Sequence, residues 1–369
     1  MKKIFTLIVT LAIALISSTS FAAEKLIEAS GEYVLDPRLN ETVASATARA
    51  REEAKRAAVD KAGVYVQSYS KTINLELVED EVQTVAARIL KIQSESSKTD
   101  VINDNLLRFT VTIKALVDDL NDADLKAFML NKQSLSDATR KYKEIQEGYH
   151  DLNNQMENFK RDYDKANDAQ RAEIKREVAR NTENFSAVDA MSRGNDFYFV
   201  KNFSQALEAY DKALRLNPQL AEAYNNRGIV KYELNQYTAA IEDYSAAIRL
   251  KSNFANALNN RGNAYAALKR FNEAAQDLQA ALKLNPNFAV GHNNLGNVYR
   301  SMKNYDAAID EYTQAIQLNP KFAEAYYNRG VCHLYMKHQQ EAILDLSKAG
   351  ELGLYHAYSL IKKNKKVVE

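Results

Sequence analysis

Asparagine is the residue type whose spacing in this chain points to chemistry. Adjacent pairs stand at Asn225 and Asn226, Asn259 and Asn260, and Asn293 and Asn294. Each pair lies 34 residues after the last, and Asn328 continues the second series. A third series runs through Asn195, Asn263 and Asn297. A carboxamide carries donors and an acceptor together, which suits the main chain of an extended peptide. Asparagine is also a weak interior helix former, because its side chain competes with the backbone for hydrogen bonds. Its repetition within helical sequence therefore points to a binding surface. The bland alternative is that these residues belong to a repeat consensus and only solvate one face.

Other chemistry finds little support. No HExxH, GxxxxGK[ST], GxSxG or GxGxxG pattern occurs. No nucleophile and base, metal cluster or phosphate loop stands at a recognised spacing, so the chain reads as a non-enzyme that needs no cofactor. The one cysteine, Cys332, excludes an internal disulfide framework. Cys332 and His333 are neighbours, and a packed helix explains them better than a metal site does. Lys and Arg total 49 against 48 Asp and Glu, a net charge of +1 that gives no support to nucleic-acid binding. With 46% hydrophobic and 26% charged residues the chain is an ordinary folded one. Only 11 Gly and 4 Pro leave room for long helices and argue against a turn-rich β fold.

The elements that must position the asparagines share their period. Gly194, Gly228, Gly262, Gly296 and Gly330 recur every 34 residues. So do Ala206, Ala240, Ala274, Ala308 and Ala342, and the series Ala213, Ala247, Ala281, Ala315 and Ala349. Prolines close the units at 218, 286 and 320, with Ser252 in the remaining place. This pattern resembles the tetratricopeptide repeat, a pair of helices stacked into a solenoid. The repeats are expected at 187–220, 221–254, 255–288, 289–322 and 323–356. A capping helix and basic tail follow over 355–369. Small residues let paired helices approach, larger ones such as Tyr210 and Tyr244 fill between them, and Asn-Pro ends the second helix.

Within each repeat, positions 2, 5, 6, 9 and 13 are expected to line the concave side of the first helix. All ten asparagines, Asn195, Asn225, Asn226, Asn259, Asn260, Asn263, Asn293, Asn294, Asn297 and Asn328, would then face a groove for a protein or extended peptide partner. The O-linked N-acetylglucosamine transferases look similar here and use such a ladder to hold peptide main chain. Arg193, Arg227, Arg261 and Arg329 fall at position 7, nearer the packed side, so a clamp for an acidic C-terminus is not supported.

The N-terminal half carries different signals. Residues 1–22 have a basic start at Lys2 and Lys3, an apolar run from Ile4 to Ile16, and small residues at Ser20 and Ala22. That is the pattern of a cleaved export signal, which predicts a periplasmic protein in a diderm bacterium and a secreted one in a monoderm. Residues 23–124 read as a small α/β domain. A strand is expected at 26–35, a helix over 42–61 closed by Gly63, a second helix over 79–92 and a strand over 106–117. Val64 to Leu77 is rich in β-branched and aromatic residues. The run ARAREEAKRAAVDKAGVYVQ at 48–67, followed by AARILK at 86–91, resembles the N-terminal domain of flagellar assembly protein T and related bacterial envelope proteins. The resemblance implies a non-catalytic domain that takes part in a cell-envelope assembly. The acidic run Asp118, Asp119, Asp122 and Asp124 reads as a polar linker.

Over 125–186 a heptad stripe runs from Leu135 through Tyr142, Tyr149, Met156 and Tyr163 to Ala166. It predicts a long coiled-coil-like helix that makes the chain a homo-oligomer through 135–166. The competing reading is a helical hairpin, bent near Gly148 or at 166–168. The expected architecture is thus mainly α: a small α/β domain, a long helix, and a solenoid of five repeats. The expected function is an exported scaffold, or alternatively a structural part of an envelope assembly docked through its N-terminal domain.

Overall fold

The computed structural model describes residues 25–72, 75–103, 106–117, 129 and 132–365. The export signal, the acidic run at 118–124 and the end of the basic tail lie outside the described residues. Among the described residues no helix is long and apolar enough to cross a membrane. The chain is mainly helical and divides into two compact units, 1–178 and 179–369.

The first unit is a three-stranded antiparallel sheet covered by helices. β1 (Lys25–Leu35) and β2 (Leu90–Asn103) flank β3 (Leu106–Val117) in the order β1-β3-β2. In β3, Phe109, Val111, Ile113, Ala115 and Val117 are buried, the alternation expected of a half-covered strand. Helix α1 (Val43–Thr72) lies against them with Ala46, Ala50, Ala54, Ala58 and Ala62, an i to i+4 row of fully buried methyls. The approach is closest at Gly31 of β1, where a Cβ would overlap the Ala50 carbonyl oxygen and the Ala54 backbone nitrogen.

Two expectations fail in this unit. The helix does not end at Gly63 but runs on to Thr72. Val66 and Tyr69 extend the buried row of Ala58 and Ala62 on the same face, and that burial outweighs the roughly 1 kcal/mol cost of an interior glycine. Strand β2 follows α2 (Glu79–Ile89) directly and was not expected at all. Its side chains from Lys91 to Thr99 are exposed on both faces, so its sequence carries no alternation to read.

The heptad stripe finds its partner inside the chain. α3 (Lys132–Tyr163) buries Leu135 in the sheet core, beside Tyr142, and buries Met156 against Leu39 and Val178. Gln146 Nε2 donates to Glu52 Oε1 at 3.1 Å, Arg49 donates to Asn153, and Lys160 Nζ donates to the Val34 carbonyl at 2.9 Å. The chain then turns at 164–167 and starts α4 (Asp168–Phe199). A reciprocal cap marks the start: Gln170 N–H donates to Asn167 Oδ1 at 3.0 Å, and Asn167 N–H to Gln170 Oε1 at 2.9 Å. Val178 and Ile174 of α4 come back against Met156, Phe159 and Tyr163. This corrects the expectation of one continuous coiled-coil-like helix over 125–186. The apolar stripe is covered by the unit's own core and by the returning helix, which is the hairpin reading with its bend near residue 166.

The second unit is a stack of helix pairs. The first repeat uses the C-terminal part of α4 as its first helix and pairs it with α5 (Phe203–Leu216). The following pairs are α6 (Ala221–Glu233) with α7 (Tyr237–Leu250), α8 (Ala255–Ala267) with α9 (Phe271–Leu284), α10 (Ala289–Ser301) with α11 (Tyr305–Leu318), and α12 (Ala323–Tyr335) with α13 (Gln339–Glu351). α14 (His356–Lys365) closes the stack, with Ala357 buried against Leu346 and Ala349. Every first helix ends on a left-handed residue: Lys201, Asn235, Lys269, Lys303 and Lys337 have φ between 58° and 63°. A Cβ at Gly194, Gly228 or Gly296 would sit 2.5–2.7 Å from the ring of Tyr210, Tyr244 or Tyr312, so glycine and tyrosine are one packing unit.

Candidate functional site

The structure sorts the ten asparagines by depth. Asn225, Asn259 and Asn293 at position 5 are only 2%, 5% and 8% exposed. This corrects the expectation that position 5 opens onto a groove. Position 5 turns toward the seam between repeats, because it lies on the side of the helix where the next pair stacks. Asn226, Asn260, Asn294 and Asn328 at position 6, and Asn195, Asn263 and Asn297 at position 9, are half-buried.

The buried and half-buried series bond to each other across the seams. Asn260 Nδ2 donates to Asn225 Oδ1 at 3.1 Å, Asn294 to Asn259 at 2.9 Å, and Asn328 to Asn293 at 3.1 Å. At the first seam Asn226 donates to Asn195 at 3.0 Å. Within a repeat, Asn225 donates to Asn226 at 3.2 Å and Asn259 to Asn260 at 3.4 Å. The result is an amide ladder that staples each repeat to the next. Each position-6 amide still holds an N–H and a lone pair that the ladder does not use, because a carboxamide has two donors and two acceptor sites. Those valences are what the face can offer to a ligand.

Position 9 is held from below. Tyr210 Oη donates to Asn195 Oδ1 at 2.7 Å, and Tyr312 Oη donates to Asn297 Oδ1 at 2.9 Å. The corresponding residue under Asn263 is Leu278, and Asn263 makes no side-chain hydrogen bond among the described residues.

Three of the four position-7 arginines are taken up by structure. Arg227 binds Asp243 through Nε at 2.9 Å and Nη2 at 2.5 Å, and reaches back to Asp211 of the preceding repeat at 2.6 Å. Arg261 grips Asp277 and donates to Ser245 at 3.0 Å, and Arg329 grips Asp345 and donates to Thr313 at 2.9 Å. The carboxylate hydrogen bonds hold all three guanidiniums above their ordinary pKa. Arg193 is exposed. Sequence reasoning missed this second staple, although Asp243, Asp277 and Asp345 at position 23 recur with the arginines at position 7.

The fourth repeat departs from it. Leu295 replaces the arginine, and His292 Nδ1 pairs with Glu311 Oε2 at 2.7 Å while its Nε2 meets the Pro286 carbonyl at 3.1 Å. The Glu311 hydrogen bond raises the imidazole pKa against an opposing burial effect. Cys332 is fully buried among Ala308 and Tyr312, and that burial pushes its thiol up to about 11. Burial lowers the pKa of His333 beside it. No group of three or more His, Cys, Asp or Glu able to hold a metal occurs among the described residues.

The repeats match a known family model. The segments 194–235, 230–269, 262–303 and 296–336 match the model of the TPR repeat. No curated protein matches the chain. Among solved structures, MamA is 28% identical over 45% of this chain and 96% of its own, with a TM-score of 0.41. YrrB, described as a TPR protein with an unusual peptide-binding site, is 26% identical over 51% of this chain and 96% of its own, with a TM-score of 0.42. The first TPR of Spaghetti (RPAP3), bound to the HSP90 peptide SRMEEVD, is 24% identical over 32% of this chain and 95% of its own, with a TM-score of 0.32.

Proposed function

We propose that this protein is an exported, non-enzymatic scaffold that holds an extended segment of a partner protein along the asparagine face of its TPR repeats. One observation carries the reading. Half-buried amides at position 6 stand on four successive first helices, each with a donor and an acceptor left over from the ladder. An extended main chain offers complementary groups in series and needs no charge to be recognised. Three of the four position-7 arginines are held by Asp243, Asp277 and Asp345 and Arg193 alone of them is exposed, so along repeats two to five affinity comes from neutral hydrogen bonds and apolar contact. Solenoid stacking supplies the continuous surface on which such a segment lies. Export rests on the charged start, apolar run and small-residue site of residues 1–22.

The test places a photo-crosslinking residue at Asn260 on the proposed face, or at exposed Arg249 on α7 as a control. Irradiation in an envelope extract should attach a partner at 260 and not at 249. Attachment at 249 alone would refute the assignment of the face.

A further inference from the structure

The asparagine face is not uniform, and its third repeat carries a recess. Positions 12 and 13, at the end of each first helix, hold Tyr198 and Phe199, Tyr232 and Glu233, Arg300 and Ser301, and Leu334 and Tyr335 in four of the repeats. In the third repeat they are Ala266 and Ala267. The missing side chains leave a recess of about 280 Å³ on the asparagine side, walled by Tyr232 and Phe271 and bordered by Asn263, Asn294 and Asn297. The same repeat is the one in which position 9 is an asparagine over a leucine. Asn195 and Asn297 are each held by a tyrosine hydroxyl, whereas Asn263 faces Leu278 and is left with an unused carboxamide at the recess. Two independent substitutions, a pair of alanines and Leu278, thus open a space and leave a hydrogen-bonding group on its edge.

We propose that this recess selects a tyrosine side chain of the bound segment, its ring lying between Tyr232 and Phe271 and its hydroxyl meeting the Asn263 carboxamide. The proposal rests on the asparagine face being the one that holds an extended peptide. Charge excludes the ionic side chains, because no Lys, Arg, Asp or Glu borders the recess to offset the lost hydration. A purely aliphatic side chain would cover Asn263 without a partner, which costs affinity. An aromatic ring gains from edge or offset contact with the two ring walls, and the phenolic hydroxyl both donates and accepts.

The probe is a set of blocked pentapeptides, acetyl-Gly-Gly-X-Gly-Gly-amide, with X as Tyr, Phe, Leu, Lys or Gly. They are titrated into the full chain carrying labelled alanine methyl groups and asparagine side-chain amides. The tyrosine peptide should shift the Ala266 and Ala267 methyl signals and bind roughly three- to tenfold tighter than the phenylalanine peptide, the value of one neutral hydrogen bond. The leucine, lysine and glycine peptides should bind more weakly still. Asn263→Ala should bring the tyrosine peptide down to the phenylalanine level, and Ala267→Tyr should fill the recess and abolish the methyl shifts. If the peptides move the Asn226, Asn260 and Asn294 amides but neither alanine methyl, or if Tyr and Phe bind equally, the pocket is refuted and the peptide face stands. If no peptide moves any of these signals, both fall together.

Discussion

A pair of asparagines that look alike in sequence should behave oppositely on mutation. Asn225 is buried at a seam between repeats, donates to Asn226 and accepts from Asn260. Asn225→Ala removes both bonds and leaves a small void. At about 0.5–1.5 kcal/mol per neutral hydrogen bond the loss is about 1–3 kcal/mol. Alanine gives back about 0.5 kcal/mol of helix propensity, for a net cost of about 0.5–2.5 kcal/mol. In a unit of this size each kcal/mol lowers the melting temperature by about 2–4 °C. Asn263→Ala removes no side-chain hydrogen bond among the described residues, so the same gain in propensity should leave stability unchanged or raised by a few tenths of a kcal/mol. Both variants are made in the full chain and followed by urea titration and thermal melting of the helical signal. Stability in a solenoid is a sum of repeat and seam terms, so a weakened seam also broadens the transition. If Asn225→Ala melts at or above Asn263→Ala, the ladder contributes nothing and the depth-sorting of the asparagines is wrong.

Three further outcomes follow from the same reasoning. Gly31→Ala puts a methyl into the backbone of α1 at Ala50 and Ala54, so it should destabilise the first unit by about 1–3 kcal/mol or more, read by its melting, and spare the repeats. Met156→Ala in α3 should cost the first unit about 2–5 kcal/mol while light scattering gives the same mass for wild type and variant; a drop in mass would restore the oligomer reading. The pKa of His292 is raised in the fold by Glu311, so its stabilisation is present below the ordinary value of 6.5 and is lost as pH rises through the folded value. The stability difference between wild type and His292→Gln should therefore shrink from about pH 6 to about pH 9, and a difference that grows over that window would reverse the sign assigned here.

Much of the solenoid was legible because its determinants are local and repeated. Glycine beside its tyrosine and Asn-Pro after the second helix act within one helix pair, and five copies average away any irregular residue. The strand at 106–117 was legible for a similar reason, since half-burial imprints a period of two. β2 left no such imprint, because both of its faces meet water. Helix α1 passed through Gly63 because Val66 and Tyr69 found a core that lies far away in sequence.

The candidate site was legible in its period and not in its depth. Composition and spacing alone determined that asparagines line up along successive helices. Which of two adjacent asparagines is buried depends on where the next helix pair lands, and a difference of one residue turns a side chain by about 100° around the helix axis. Only the tertiary structure decided that Asn225, Asn259 and Asn293 enter the seams and that Leu278 leaves Asn263 unbound. The heptad stripe from Leu135 to Ala166 follows the same logic. Periodicity determines that a face must be buried, since exposed apolar area is unfavourable in water whatever covers it. It does not determine the cover, because a second copy and a returning helix remove the same area. Here the cap at Asn167 and Gln170 turns the chain back and brings Ile174 and Val178 onto Met156, and that choice exists only in three dimensions.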